Sequence, residues 1–128
     1  MNTNVLEAMI ADTEIYYAVL TKNYPEIDQV KLYHSQYCGK KELIDLVAMV
    51  KAWSLENSRV EEAIMKHIKK YYEETYDIMR AAQAYTIDCL HLDETWRAER
   101  YVDTYYQAIV YFIWNIKTEL NLYSVPVA

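Results

Sequence analysis

Apolar residues recur every three or four positions along most of this chain, the spacing that lines up side chains on one face of an α-helix. The pattern predicts five helices. The first runs from about Asn4 to Asn23. Its predicted core face carries Leu6, Met9, Ile10, Thr13, Tyr17 and Leu20. Pro25 ends this helix and suits the first turn of the next.

Two shorter helices are predicted after Pro25. The second helix spans about Glu26 to Cys38, and Gly39, the single glycine of the protein, stands where a left-handed C-cap would end it. The third helix spans about Lys41 to Trp53. Its predicted core stripe is Leu43, Leu46, Val47, Val50 and Trp53.

Two long helices are predicted in the second half, over about residues 59–91 and 94–122. Ser58 and Glu61 fit a capping box for the first of them, and Asp93 is the predicted cap of the second. The core stripe of the first is Val60, Ile64, Ile68, Tyr71, Thr75, Ile78, Ala82, Tyr85 and Cys89. The core stripe of the second is Ala98, Tyr101, Tyr105, Ile109, Phe112, Ile116 and Leu120. A tight connection near Leu92 makes the pair an antiparallel hairpin.

The predicted fold is therefore all-α: one helical domain over residues 1–128, with three shorter N-terminal helices packed on a long C-terminal hairpin. One glycine and two prolines are too few for the turns of a β-rich fold. Hydrophobic residues make up 53% of the chain, which is enough to build a core.

Net charge limits the kinds of partner that the chain can bind, and the cysteines indicate its redox state. The formal net charge of −6 disfavours general nucleic-acid binding and favours a protein partner with a basic surface. A small basic cluster, Lys66, Lys69 and Lys70, is flanked by glutamates. No apolar run reaches membrane-spanning length and no secretory signal is visible, so we expect a soluble cytoplasmic protein. Cys38 and Cys89 form no CxxC pair, which favours reduced, structural thiols.

Candidate metal ligands do not assemble into a site by spacing. His67 and His91 fall on one predicted helix, about 36 Å apart. Asp88 and His91 have the spacing of a di-iron helix, but only one such pair occurs. His34 and Cys38 supply two of four zinc ligands at most. We predict no metal, no cofactor and no catalytic residue.

One enzyme class stays open as an alternative. All-α nucleotide pyrophosphohydrolases hold magnesium with glutamates that converge from helices. A loose counterpart of that arrangement is formed by Glu61, Glu62, Glu73, Glu74 and Asp77. Met65 interrupts the first Glu-Glu-x-x-Glu run, and an aspartate closes the second, so a solvated helix face explains the same residues.

The high tyrosine content is the feature of the composition that points to a function. The chain has 14 tyrosines and one phenylalanine, with doublets at residues 16–17, 71–72 and 105–106. Neighbouring positions on a helix point about 100° apart, so one ring of a doublet reaches a flank when the other faces the core. Tyrosine is enriched at protein interfaces. The candidate partner-binding residues are Tyr72, Tyr76, Trp96, Tyr106, Tyr111, Trp114, Glu61, Glu62, Asp77, Asp93 and Glu94.

These observations favour a non-enzymatic, acidic protein-interaction module. Inhibitors, immunity proteins, antitoxins and counter-defence proteins of this kind bind and block a macromolecular target. A structural or adaptor subunit of a larger complex is the alternative in which a permanent interface covers the aromatic surface. Self-association is also expected, as a two-fold dimer that buries a second stripe of Tyr72, Tyr76, Met79 and Leu90, with Trp96 and Trp114 as anchors.

Overall fold

Four helices make up the described part of the chain, which is residues 4–27, 29–56 and 61–119 of a computed structural model. They are α1 (Asn4–Asn23), α2 (Gln29–Glu56), α3 (Glu61–His91) and α4 (Thr95–Glu119). These ranges contain no strand. The all-α fold and the long C-terminal hairpin are confirmed, but the described ranges hold four helices where five were predicted.

The second and third predicted helices are one continuous helix, α2. Gly39 lies inside it with an ordinary helical backbone and does not end a helix. A Cβ atom added to Gly39 would lie 3.4 Å from Cδ2 of Tyr106 and 3.6 Å from Cδ1 of Ile109. The glycine therefore sits where α2 approaches α4 closely. A glycine costs a helix interior about 1 kcal/mol relative to alanine, and α2 continues through this position because it packs on α4.

The turn between α1 and α2 holds Pro25, which is therefore not in the first turn of α2. The amide of Tyr24 donates to the carbonyl of Leu20, and the amide of Ile27 donates to the carbonyl of Tyr24. Ile27 is buried. This short turn makes α1 and α2 antiparallel neighbours.

Asp93 ends α3 and does not cap α4. Its φ of 56° is left-handed. The amide of Glu94 donates to the carbonyl of Cys89 at 2.8 Å, and the amide of Asp93 donates to the carbonyl of Leu90 at 3.2 Å, which together form a Schellman C-cap. The carbonyl of Glu94 then accepts the first bonds of α4. The predicted capping box of Ser58 and Glu61 and the predicted core positions Val60, Ile64 and Leu120 lie outside the described residues or side chains.

The core lies between the α3–α4 hairpin and the α1–α2 pair. α4 packs on α3 and α2, and α1 packs on α2 and, more loosely, on α3. The largest fully buried side chains include Leu6, Leu20, Leu43, Leu46, Met79, Tyr105, Ile109 and Phe112. Because α1 and α2 both lie on one side of the hairpin, the opposite side of α3 and α4 has no described helix over it.

Candidate interaction surface

The uncovered side of the hairpin carries large apolar side chains. We call it the outer surface and define it by Ile78 and Tyr85 on α3, Leu92 in the turn, and Trp96, Tyr111 and Trp114 on α4. Each is between 49% and 68% exposed. A single exposed apolar residue is ordinary, but a contiguous set on one side of a protein marks an interaction site.

Helical spacing explains how these residues reach one side. Ile78 and Tyr85 are seven residues apart, which is two turns of α3. Trp96 and Trp114 are 18 residues apart, which is five turns of α4, so both lie on the line of α4 that faces away from the core. The rings of Tyr111 and Trp114 meet edge to face, 6.4 Å between centroids. Both Trp rings are therefore presented to solvent on the same line.

A groove of about 350 Å³ runs between α3 and α4 along this surface. Ile78, Tyr111 and Phe112 give it apolar walls, and Glu74 and Asn115 are polar groups on its lining. Nearer the turn, the ring of Tyr85 lies 5.2 Å from the ring of Tyr101. Arg97, Arg100, Tyr101 and Thr104 line a second depression there. The outer surface is thus a long, shallow, aromatic face with a charged group toward each end.

A further open groove of about 510 Å³ lies where the start of α2 meets α4. Ile27, Leu32 and Val102 form its floor, and Trp96 stands at its side. Glu99 and Asp103 add negative charge. Because Trp96 belongs to both this groove and the outer surface, the two are continuous around α4.

The opposite flank of α3 has a different character, since its polar side chains are tied to α1. Asp12 accepts hydrogen bonds at Oδ2 from the hydroxyl of Tyr105 (2.5 Å) and from Nε2 of Gln83 (2.9 Å). Its Oδ1 lies 3.5 Å from Nη2 of Arg80, and Nη1 of Arg80 donates to Gln83 at 3.0 Å. The guanidinium of Arg80 lies 4.9 Å from the ring centroid of Tyr76. We call these five side chains the Asp12 network.

Two buried tyrosines complete the contact between α1 and the hairpin. The rings of Tyr16 and Tyr105 are 4.5 Å apart, and the hydroxyl of Tyr16 donates to Oγ1 of Thr86 at 2.7 Å. Burial raises the pKa of both phenols far above the usual range, and for Tyr105 the bond to Asp12 raises the pKa further. Both are therefore neutral hydrogen-bond donors at physiological pH, which suits a structural role.

The structure divides the predicted aromatic candidates into two groups. Trp96, Tyr111 and Trp114 lie on the outer surface, as an interaction site requires. Tyr72 and Tyr76 lie on the α1 side of α3, and their rings contact each other, 5.6 Å between centroids. Tyr106 is half-buried against Gly39 of α2. The structure thus places three of the six predicted aromatic residues on the outer surface.

The predicted second stripe does not exist as a free surface. Met79 and Leu90 are 2% and 4% exposed because they pack in the core of this chain. Ile78 and Tyr85, which the same pattern predicts to be buried, are exposed instead. Leu92 is not among the predicted site residues either. The signal that could have found these residues is the alternative stripe of Thr75, Met79, Ala82, Thr86 and Leu90, which has the same helical period.

The acidic candidates are more scattered than the aromatic ones. Glu62, Asp77 and Asp93 are exposed, and Glu94 forms an ion pair with Arg97 at 2.8 Å. The side chain of Glu61 lies outside the described part. These groups give the surface negative charge without forming a compact cluster.

Metal ligands do not converge in the described residues, where no group of three or more His, Cys, Asp and Glu side chains could hold an ion. His67 lies 3.7 Å from a carboxylate oxygen of Glu119, and His91 lies 3.0 Å from the hydroxyl of Tyr24. Cys89 is a buried free thiol. Within the described ranges, no helix is long and apolar enough to cross a membrane.

Comparison with known proteins adds no relative. The chain matches no family model, no curated protein and no solved structure. The functional argument therefore depends on the surface itself.

Proposed function

We propose that this chain is a non-enzymatic protein-interaction module that binds and blocks another macromolecule through its outer surface. Inhibitors, immunity proteins, antitoxins and counter-defence proteins act in this way. The observation that carries the proposal is the exposure of Tyr111 and Trp114, 66% and 54%, on a helix face opposite the core. Large aromatic side chains in such positions supply most of the binding energy of many interfaces.

The chemistry of the target follows from charge. The protein has a net charge of −6, and exposed carboxylates such as Glu74 and Asp77 lie on α3 near the aromatic residues. A partner with a basic surface would be attracted at long range and held by aromatic contacts at short range. We propose a cytoplasmic location for this encounter. The free, buried thiol of Cys89 supports a reducing compartment.

Capture of the target tests the proposal. Tagged protein is used to isolate partners from an extract of the cells in which it acts, at low and at high salt. We expect one stoichiometric protein that is released by salt. The double variant Tyr111→Ser/Trp114→Ser should reduce its capture at least tenfold, because the lost side chains are the predicted anchors.

The matched control removes exposed apolar side chains elsewhere. Ile15 and Ile44 are 63% and 47% exposed on α1 and α2. The variant Ile15→Ser/Ile44→Ser should capture the target as the wild type does. Equal capture by all three proteins would reject the outer surface as the binding site, and capture that salt leaves unchanged would reject the electrostatic part.

A structural or adaptor subunit is the second candidate, because the same exposed aromatic residues suit a permanent interface. Such a subunit behaves poorly alone and binds hydrophobic dyes. A dye-free, monodisperse preparation of the isolated protein would count against it. The magnesium-dependent hydrolase is tested by phosphate or pyrophosphate release from a panel of nucleotides, and we expect no release.

A further inference from the structure

Charged side chains of both signs line the outer surface and the groove beside it, where Glu99 and Asp103 lie with Arg100. Arg97 and Arg100 lie at the end near the α3–α4 turn, and Glu74 lines the groove at the other end. Arg97 is already paired with Glu94. Arg100 and Glu74 are exposed, and neither has an ion pair with any described residue of the chain. Arg100 and Glu74 thus lie at opposite ends of the aromatic face, each without an ion pair to a described residue.

The two charges are too far apart to pair within one molecule. Arg100 precedes Tyr101, whose ring contacts Tyr85. Glu74 lies 11 residues before Tyr85 on α3, a separation of about 16 Å along the helix axis. Neither side chain can span that distance, so their pairing requires a second molecule.

We infer that a second copy of this chain occupies the outer surface of the free protein, related by a two-fold axis. Such an axis brings Arg100 of each copy beside Glu74 of the other and forms two equivalent ion pairs. This inference rests on the proposed function to the extent that it uses the same surface. It differs from the stripe expected from the sequence, whose members Met79 and Leu90 are buried.

The middle of the surface suits close approach of two copies. Ala81 on α3 and Thr104 on α4 are exposed and lie roughly midway between Arg100 and Glu74 along the hairpin. Small side chains there let the backbones approach, and the larger residues Ile78, Tyr85 and Tyr111 surround them. The two-fold axis therefore passes near Ala81 and Thr104.

The size of the surface fits a weak, reversible dimer. The line from Trp96 to Trp114 on α4 is about 27 Å long, and two adjacent helices are about 20 Å wide. The face thus measures about 540 Å², less than the roughly 800 Å² per partner of a typical specific interface, which places it among weak, transient interfaces. Aromatic residues in its centre and charges toward its ends fit the usual composition of such interfaces.

A dimer on this surface regulates binding of the target. Two copies and the target compete for Tyr111 and the neighbouring residues, so the target binds the monomer. Apparent affinity for the target then falls as the protein concentration rises above the dissociation constant of the dimer.

Sedimentation of the purified protein over a micromolar concentration series tests this inference. A chain of 15.2 kDa gives a dimer of 2 × 15.2 = 30.4 kDa. We expect the wild type to be dimeric at the upper end of the series. Glu74→Arg and Arg100→Glu should each raise the dissociation constant at least tenfold, because each places like charges together at two symmetric positions.

The equimolar mixture of the two variants is the decisive arm. At one contact of a mixed dimer, the arginine that replaces Glu74 faces the glutamate that replaces Arg100. At the other contact, the native Arg100 and Glu74 face each other. Both ion pairs are therefore restored. We expect the mixture to sediment as a dimer, although each variant alone is monomeric. Restoration of this kind excludes misfolding as the reason for the loss.

Two further charge reversals serve as controls. Glu7→Arg and Lys22→Glu change exposed side chains of α1, which packs on the other side of the hairpin. Each alters the net charge by the same amount as one of the test variants. Both should leave the dimer unchanged, which separates the effect of the contact from the effect of net charge.

Three results would overturn the inference: a wild type that is monomeric throughout, single variants that remain dimeric, or a mixture that stays monomeric. The measurement uses only purified protein, so it is independent of the target. A monomeric wild type that still captures a target through Tyr111 and Trp114 would reject the dimer alone. A dimer with no captured target would reject the proposed function alone.

Discussion

Asp12 is the residue at which α1, α3 and α4 are joined by polar contacts. Its carboxylate is only partly exposed and accepts bonds from Tyr105 and Gln83. A half-buried carboxylate without such donors would lose hydration and gain no hydrogen bonds to compensate. Burial, and after it the bond to this carboxylate, raises the pKa of Tyr105. Tyr16 and Tyr105 therefore keep their protons in the folded protein at a pH where an unfolded chain loses them.

This difference in proton affinity predicts a loss of stability in alkali. The folded pKa of each phenol is raised, so its contribution is fully present below the unfolded value of about 10 and is lost as the pH rises above it. Each tyrosine lowers the free energy of unfolding by up to about 1.4 kcal/mol per pH unit there. Urea unfolding between about pH 8 and about pH 11 measures the slope. Tyr105→Phe should reduce the slope, because it removes one of the phenols whose pKa is raised in the folded protein.

Tyr111→Phe is the control for this series. Tyr111 is 66% exposed and lies outside the Asp12 network, so the substitution should leave the alkaline slope as it is. At neutral pH, Tyr105→Phe should also cost about 1 to 3 kcal/mol, since Asp12 loses its closest donor. Identical slopes for wild type and Tyr105→Phe would contradict the role of the Asp12 network.

Gly39 gives a test that separates the sequence prediction from the structure. In a helix interior, Gly39→Ala should raise the free energy of unfolding by about 0.5 to 1 kcal/mol, because the added Cβ meets Tyr106 and Ile109 at ordinary contact distances. Gly39→Leu should lower it by about 1 to 3 kcal/mol through overpacking. Thermal or urea unfolding measures both. A destabilised Gly39→Ala protein would instead indicate a left-handed C-cap.

The doublet of Tyr16 and Tyr17 shows where residue-scale prediction ends. The sequence predicts that one ring faces the core and the other a flank, and that is what the structure has. It does not indicate which one, and Tyr16 is buried although the spacing predicts Tyr17. The choice depends on Thr86, a hydrogen-bond partner 70 residues away, which helical spacing cannot reveal.

At the scale of single elements, α3 shows why an apolar period can be read in two ways. Its apolar residues cover a wide arc, so adjacent stripes through Ile78 or through Met79 both have helical spacing. The structure buries the stripe with Met79, because α1 and α4 pack on either side of it. The existence of the long helices and the place of the turn between them could be predicted, but their rotation about their own axes could not.

The neighbouring pair Ile78 and Met79 measures that rotation directly. Met79 is 2% exposed, so Met79→Ala should lower the free energy of unfolding by about 2 to 5 kcal/mol. Ile78 is about half exposed, and Ile78→Ala should change it by about 0.5 kcal/mol or less. Urea unfolding of the two variants at neutral pH gives the comparison. A larger loss at Ile78 would mean that α3 is rotated as the sequence predicts.

Helix ends, like helix rotation, depend on tertiary packing as well as on local sequence. Gly39 and Asp93 are both residues that favour left-handed caps, yet only Asp93 serves as one. Asp93 ends α3 because Leu92, Asp93 and Glu94 must reverse the chain within three residues. Gly39 continues a helix because α2 packs on α4 at this position, where Tyr106 and Ile109 are its neighbours. Local sequence signals identify the permitted positions of a cap, and tertiary packing decides among them.

At the scale of the whole molecule, the outer surface exists because α1 and α2 pack on the same side of the hairpin. The sequence predicts the hairpin and the aromatic supply, including Trp96, Tyr111 and Trp114. It does not predict which side of the hairpin is left uncovered, since that depends on how four helices share one core. For this reason Ile78, Tyr85 and Leu92 could not be recognised as surface residues from spacing alone.

Side-chain footprinting by hydroxyl radicals tests most directly whether the outer surface is where partners bind. Oxidation is measured residue by residue for the dilute protein, the concentrated protein and the complex with its captured target. We predict that Tyr85, Tyr111 and Trp114 are protected in the complex, while Tyr33, exposed on α2, keeps its reactivity. Unchanged oxidation of Tyr111 and Trp114 in the complex, with protection at Tyr33 instead, would contradict the account.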